Sequence, residues 1–215
     1  MTAAEGASRL AFDRVSCIRG DRLLFRGVDF AIGPGDAVIV TGPNGVGKSS
    51  LLRVAAGLLA PAAGRIEQQG ALALADERTA LDPMLPLADA LLFWARLDGG
   101  GTARVAAALD LMGVIHLAAV PVRMLSTGQR KRATLARVIA SAAPIWLLDE
   151  PANGLDVESC ARLAGAMAAH RAGGGLILAA AHQDIGLADA QSVALAPLAP
   201  DAFDADEPKF DEQWA

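Results

Sequence analysis

The chain has 215 residues, 53% hydrophobic and 20% charged, enough for one large α/β domain with a buried core and too apolar for a disordered chain. Its net charge of −5 argues against a nucleic-acid partner, which a basic surface would serve. Met1 to Ser8 lacks a basic stretch followed by an apolar one, and no apolar run is long enough to cross a bilayer, so a secreted or membrane-spanning chain is not expected and any membrane connection has to come through a partner.

Taken in chain order, residues 1–8 are expected to be disordered. From about Leu10 to Ile32 apolar and polar residues alternate, with turns expected near Gly20-Asp21 and Gly27, which predicts two or three antiparallel strands. Ala37 to Val40 reads as a buried strand and Ser49 to about Leu59 as an amphipathic helix stopped by Pro61. Strands follow at Arg65 to Gln68 and Ala71 to Ala75, the latter leading to the polar exit Asp76-Glu77-Arg78. Leu87 to Leu97 and Ala103 to Met112 then carry helical periodicity, broken by Gly99-Gly100-Gly101 and closed by Gly113, an inserted helical lobe of about residues 82–125. Phe93 and Trp94, at helical spacing, are expected in its core. A helix from Arg130 to Ala142, a buried strand at Ile145 to Leu148, a helix capped by Asp156 and running to about His170, a strand at Leu176 to Ala181 and a short one at Ser192 to Leu195 complete the body. The Pro-rich acidic tail, residues 197–215, is expected to be disordered. Cys17 and Cys160 are far apart and lack metal-ligand spacing, so both are expected as packing residues in a reducing compartment. His116 and His170, in the helical lobe and at a helix end, are expected to be structural.

Three clusters carry chemistry. Gly42-Pro43-Asn44-Gly45-Val46-Gly47-Lys48-Ser49 fits the phosphate-loop pattern G-x-x-x-x-G-K-[ST], between a predicted strand and a predicted helix that continues with Ser50. Its glycines let backbone N–H groups wrap a β-phosphate, Lys48 can bridge β- and γ-phosphates, and the Ser49 hydroxyl can ligate Mg²⁺. Ser126, Thr127, Gly128 and Gln129 open a helix, which turns hydroxyl and N–H groups toward an anion. Ile145-Trp146-Leu147-Leu148 would deliver Asp149 and Glu150 to the carboxyl edge of a sheet, Asp149 toward Mg²⁺ and Glu150 to orient or deprotonate an attacking water. His182, at the end of the next strand, can contact the γ-phosphate.

In order and spacing these clusters resemble the ABC-transporter ATPases over roughly residues 10 to 196. Gly42–Ser49 is similar to their Walker A loop, Leu125–Gln129 to the LSGGQ signature with Thr127 for Gly, Ile145–Glu150 to Walker B, Asn153–Asp156 to the D-loop and His182 to the switch histidine. The resemblance implies an α/β P-loop NTPase (RecA-like) core with an antiparallel β subdomain and the helical subdomain, binding ATP and Mg²⁺ and hydrolysing ATP through Glu150 and His182. It also implies a homodimer in which each ATP lies between Lys48, Ser49 and Asp149 of one copy and Ser126 and Gly128 of the other. Within the superfamily, the small size, Gly57–Gly64 and Met124–Arg132 resemble the ATP-binding subunits of haem exporters of c-type cytochrome maturation, the CcmA family. That implies a peripheral subunit at the cytoplasmic face of the bacterial inner membrane, docked on a CcmB-like integral membrane permease. Alternatives are the ATPase of another small ABC transporter and a soluble nucleotide-gated clamp or regulator.

Two positions depart from the family pattern. Asp76-Glu77-Arg78 stands where a metal-sensing glutamine is expected, with Gln68 and Gln69 too early. The chain has no Tyr, so Arg19, at the end of the first predicted strand, is the candidate to stack on adenine.

Overall fold

The computed structural model describes residues 7–198. The disorder expected of residues 1–8 and 197–215 therefore falls largely outside the described residues.

Two sheets form. β1 (Arg9–Arg19), β2 (Arg22–Ile32) and β4 (Ala63–Gln69) make an antiparallel sheet in the order β2-β1-β4. β5 (Leu72–Ala75), β6 (Ile145–Asp149), β7 (Leu176–Ala180), β3 (Ala37–Thr41) and β8 (Gln191–Ala194) make a parallel one in the order β5-β6-β7-β3-β8. Because successive side chains leave opposite faces of a strand, each apolar run of the parallel sheet feeds two cores. Val38, Val40, Ile145, Leu147, Leu176 and Leu178 pack with helix α1 (Lys48–Ala55) and with Phe12, Val15 and Phe30 of the antiparallel sheet. Trp146, Leu148, Ile177 and Ala179 pack on the other side against the helices α2 (Leu87–Leu97), α3 (Thr102–Leu111), α4 (Thr127–Ala140) and α5 (Val157–Ala172). Leu147 is fully buried; burial of such a side chain contributes roughly 2 kcal/mol. The result is a parallel sheet with helices on both faces, capped on one side by the antiparallel sheet.

Four sequence expectations shift. Gly27 lies inside β2, not at a turn: its φ of 65° accommodates a bulge opposite the register break between Val15 and Cys17, and its N–H donates to Ser16 Oγ at 3.1 Å. α1 stops at Ala55, well before Pro61, because Gly57 adopts φ 69° and the N–H groups of Gly57 and Leu58 return to the Val54 and Arg53 carbonyls, the Schellman closure. α4 starts three residues earlier than its periodicity indicates, at Thr127, since Ser126 and Gln129 form a reciprocal capping box. Phe93 is 57% exposed: α2 turns Leu87, Ala90, Leu91 and Ala95 inward, which leaves Phe93 outside and Trp94 at the rim beneath the Arg137 guanidinium. Cys17 is buried and Cys160 packs partly into the core.

Candidate functional site

In a parallel sheet the carboxyl ends of all strands lie along one edge, where the chain must leave each strand in a loop. Here three adjacent strands, β3, β7 and β6, deliver Gly42–Ser49, His182 and Asp149–Glu150 to that edge. A cavity of about 390 Å³ opens among them, lined by Asn44, Gly45, Gly47, Lys48, Ser49, Ser50, Glu150 and His182, and also by Arg19, Leu24, Glu77 and Asn153.

The loop's conformation follows from its glycines. Gly42 has φ 138°, and a Cβ there would run into the Leu195 carbonyl oxygen. Pro43 accepts from the Val46 N–H at 3.3 Å, closing the turn. Lys48 is buried, and its ammonium donates to the carbonyls of Gly42 at 2.9 Å and Pro43 at 3.4 Å, so the loop itself aims the cation into the cavity. Lys48 and Ser49 open α1, where N–H groups lack partners within the helix.

Lys48 Nζ lies 3.7 Å from Glu150 Oε1, and His182 Nδ1 donates to Glu150 Oε2 at 2.7 Å. Both oxygens of this carboxylate are therefore addressed by a different strand end. Asp149 is 3% exposed beside Ser49, and among the described residues its Oδ1 has no hydrogen-bond partner. Burial pushes the Asp149 carboxyl above the usual carboxylate range, while the Ser49 hydrogen bond pulls it down. A buried carboxylate oxygen without a partner, next to a hydroxyl, is the hard-oxygen donor pair that Mg²⁺ takes when it also binds phosphate. The residues fit that ion.

Ser126–Gln129 are placed elsewhere. None of them lines the phosphate-loop cavity of the same chain; Thr127 faces a neighbouring cavity of about 280 Å³ together with Glu77, Lys131, Asp149 and Glu150. Lys131, not among the site residues expected from the sequence, donates from its Nζ to the Glu150 carbonyl at 2.9 Å. Thr127, Lys131 and Thr134 share a polar helical face, but only the packing of α4 over the end of β6 sets Lys131 apart from its charged neighbours. Glu77 borders both cavities, and Asp76 pairs with Arg53 at 3.9 Å.

The model of the ABC transporter family matches residues 25–153, which hold every cluster above except His182. The cytochrome c biogenesis ATP-binding export protein CcmA of Sphingopyxis alaskensis is 56% identical over 190 residues, 88% of this chain and 98% of that protein. Its counterpart in Zymomonas mobilis is 54% identical over 190 residues, 88% of this chain and 86% of that one. Among solved structures, a bacterial Atm1-family ABC exporter with ATP bound superposes with a TM-score of 0.77 at 23% identity, over 90% of this chain and 38% of that chain. An ABC transporter ATP-binding protein from Pyrococcus furiosus gives 0.76 at 23% identity, over 87% and 98%. At such identity these two establish the α/β fold with its two sheets and inserted helices. The chain belongs to the ABC transporter family, as an ABC-type ATPase subunit closely related to CcmA.

Proposed function

We propose that this chain is the ATP-hydrolysing subunit of a haem exporter of c-type cytochrome maturation, held peripherally at the cytoplasmic face of the inner membrane by a CcmB-like permease. The relatives, cytochrome c biogenesis ATP-binding export proteins matched over most of their length, support the place in cytochrome c maturation and the export role. Among the described residues no helix is long and apolar enough to cross a membrane, which leaves the bilayer to the partner.

The observation that carries the chemistry is the convergence of Lys48 and His182 on opposite oxygens of Glu150. The N–H groups of Gly45 to Ser49 and the Lys48 ammonium bind the phosphates of ATP. Ser49 and Asp149 hold Mg²⁺, which when bound neutralises charge on the phosphate oxygens. Glu150 accepts the proton of the attacking water, and His182, bonded to its other oxygen, keeps the carboxylate turned toward the γ-phosphate. The site is half complete in one chain, because none of Ser126–Gln129 lines its own phosphate-loop cavity. A second copy supplies them, and ATP between the two copies holds the dimer closed.

Glu150→Gln keeps the shape and loses the base. It is expected to bind ATP and to form an ATP-dependent dimer, seen by light scattering, while turnover falls by about a hundredfold or more. In cells lacking the native gene, wild type restores c-type cytochromes and Glu150→Gln does not. Normal turnover by the variant would remove Glu150 from its role; loss of turnover with undisturbed cytochrome maturation would leave an ATPase serving another cargo.

A further inference from the structure

Glu150 holds a left-handed backbone, φ 46°, a conformation that a residue with a Cβ adopts only under strain and only where its surroundings enforce it. Three donors and acceptors surround that turn. The Glu150 N–H donates to Ala180 at 2.9 Å, and the Glu150 carbonyl accepts from the Asn153 N–H at 3.2 Å. The third partner comes from another layer of the fold: Lys131 Nζ, on α4, donates to the Glu150 carbonyl at 2.9 Å and lies 3.4 Å from the Asp149 carbonyl. Successive carbonyls of a strand point in opposite directions, so two that converge on one ammonium mark the place where β6 ends and the turn begins. The ammonium is half-buried; burial pushes its pKa below the ordinary lysine value, and the carboxylates of Asp149, Glu150, Glu77 and Asp76 around it only partly offset that. Lys131 also lies little more than one helical turn beyond Ser126, on the helix that Ser126–Gln129 open.

We propose that Lys131 is a positioning residue for hydrolysis: its ammonium clamps the Asp149 and Glu150 carbonyls, holds Glu150 in the turn that aims its carboxylate at His182, and ties that turn to the start of α4. A shift of the helix that meets the second nucleotide then moves the carboxylate serving the first, within one chain. The proposal rests on the reading of Glu150 as the water-activating group.

The test uses the full chain, with ATPase rates and ATP affinity measured side by side. Lys131→Met is expected to lower kcat by roughly tenfold, the worth of one hydrogen bond to a charged group, with ATP affinity and melting temperature little changed. Lys131→Arg keeps a donor and recovers most of the rate. A Lys131→Met protein with wild-type kcat overturns the proposal, as does one in which affinity and rate fall together without rescue by arginine. Should Lys131→Met fail to fold, Lys131→Gln against Lys131→Arg makes the same comparison of a neutral with a cationic donor. Glu150→Gln in parallel separates the two ideas: if it turns over normally the underlying reading fails, and if it is inactive while Lys131→Met is normal only the clamp fails.

Discussion

A histidine stands at each end of the parallel sheet, His182 just past β7 and His170 on α5, and the two are used in opposite ways. At the carboxyl edge His182 is half-exposed and donates to Glu150 at 2.7 Å. At the amino edge His170 stacks on Trp146 with ring centroids 3.8 Å apart, and its Nε2 donates to the Pro144 carbonyl at 3.2 Å. A Cβ on Gly175 would land inside the His170 ring, so the imidazole fills a slot shaped by backbone. Burial pushes the His170 pKa down and keeps it neutral. Strand direction explains the contrast. The edge where all five strands end collects loops, cations and carboxylates, whereas at the edge where they begin His170 packs on Trp146 and backbone beside a cavity of about 420 Å³.

That contrast predicts a clean separation of phenotypes. His182→Ala removes the only side-chain donor to Glu150 Oε2 among the described residues and should lower kcat by about a hundredfold, with ATP affinity preserved. His170→Ala should leave kcat of the folded protein unchanged. Steady-state ATPase and nucleotide titration on both variants check this, and equal losses of kcat would break the comparison.

How much of this was legible in the sequence depended on whether the determinant was local. Gly42–Ser49, the run Ile145–Leu148 before Asp149, and the strand before His182 carry their structure in a handful of neighbouring residues, and each stands where the pattern put it, at the end of a buried parallel strand. What local pattern missed was set by contacts across the fold. Gly27 reads as a turn because a tight turn and a bulge can both place a glycine at positive φ. Phe93 looked like core because α2 could have been rotated either way about its axis. Lys131 sits in the run Arg130-Lys131-Arg132, which reads as a solvated stripe until α4 is packed over the end of β6 and one of its cations meets two carbonyls. The His170 slot depends on Pro144, Trp146 and Gly175, which no window around His170 contains.

The amino edge makes its own prediction, in stability and not in rate. His170→Ala loses the stack and the hydrogen bond and should cost about 2 kcal/mol. Because the folded pKa is depressed, the unfolded chain takes up its proton at higher pH than the folded one. The stability His170 contributes is therefore whole above about pH 6.5, the ordinary imidazole value, and is lost as pH falls from there through the depressed value. Urea unfolding of wild type should weaken over that interval, and the variant should lack this component. An unchanged acid slope in His170→Ala would assign it to other groups.

The smallest expected effect lies at the mouth of the carboxyl edge. Arg19 ends β1 opposite Arg22 and lines the phosphate-loop cavity with Leu24; we propose that it meets the base of a nucleotide held there by its phosphates. A guanidinium can stack on adenine as an aromatic ring does, and such a contact is worth about 1 kcal/mol, roughly fivefold in Kd. Charge alone would act on the phosphates as well, so the two contributions separate with a ligand that lacks the base. Arg19→Ala should weaken ATP about fivefold and leave inorganic triphosphate unaffected, and Arg19→Tyr should restore ATP binding by stacking without charge. If triphosphate weakens in step with ATP, Arg19 serves the phosphate field; if neither changes, it is a solvated strand end, and the carboxyl edge holds its nucleotide by the phosphates alone.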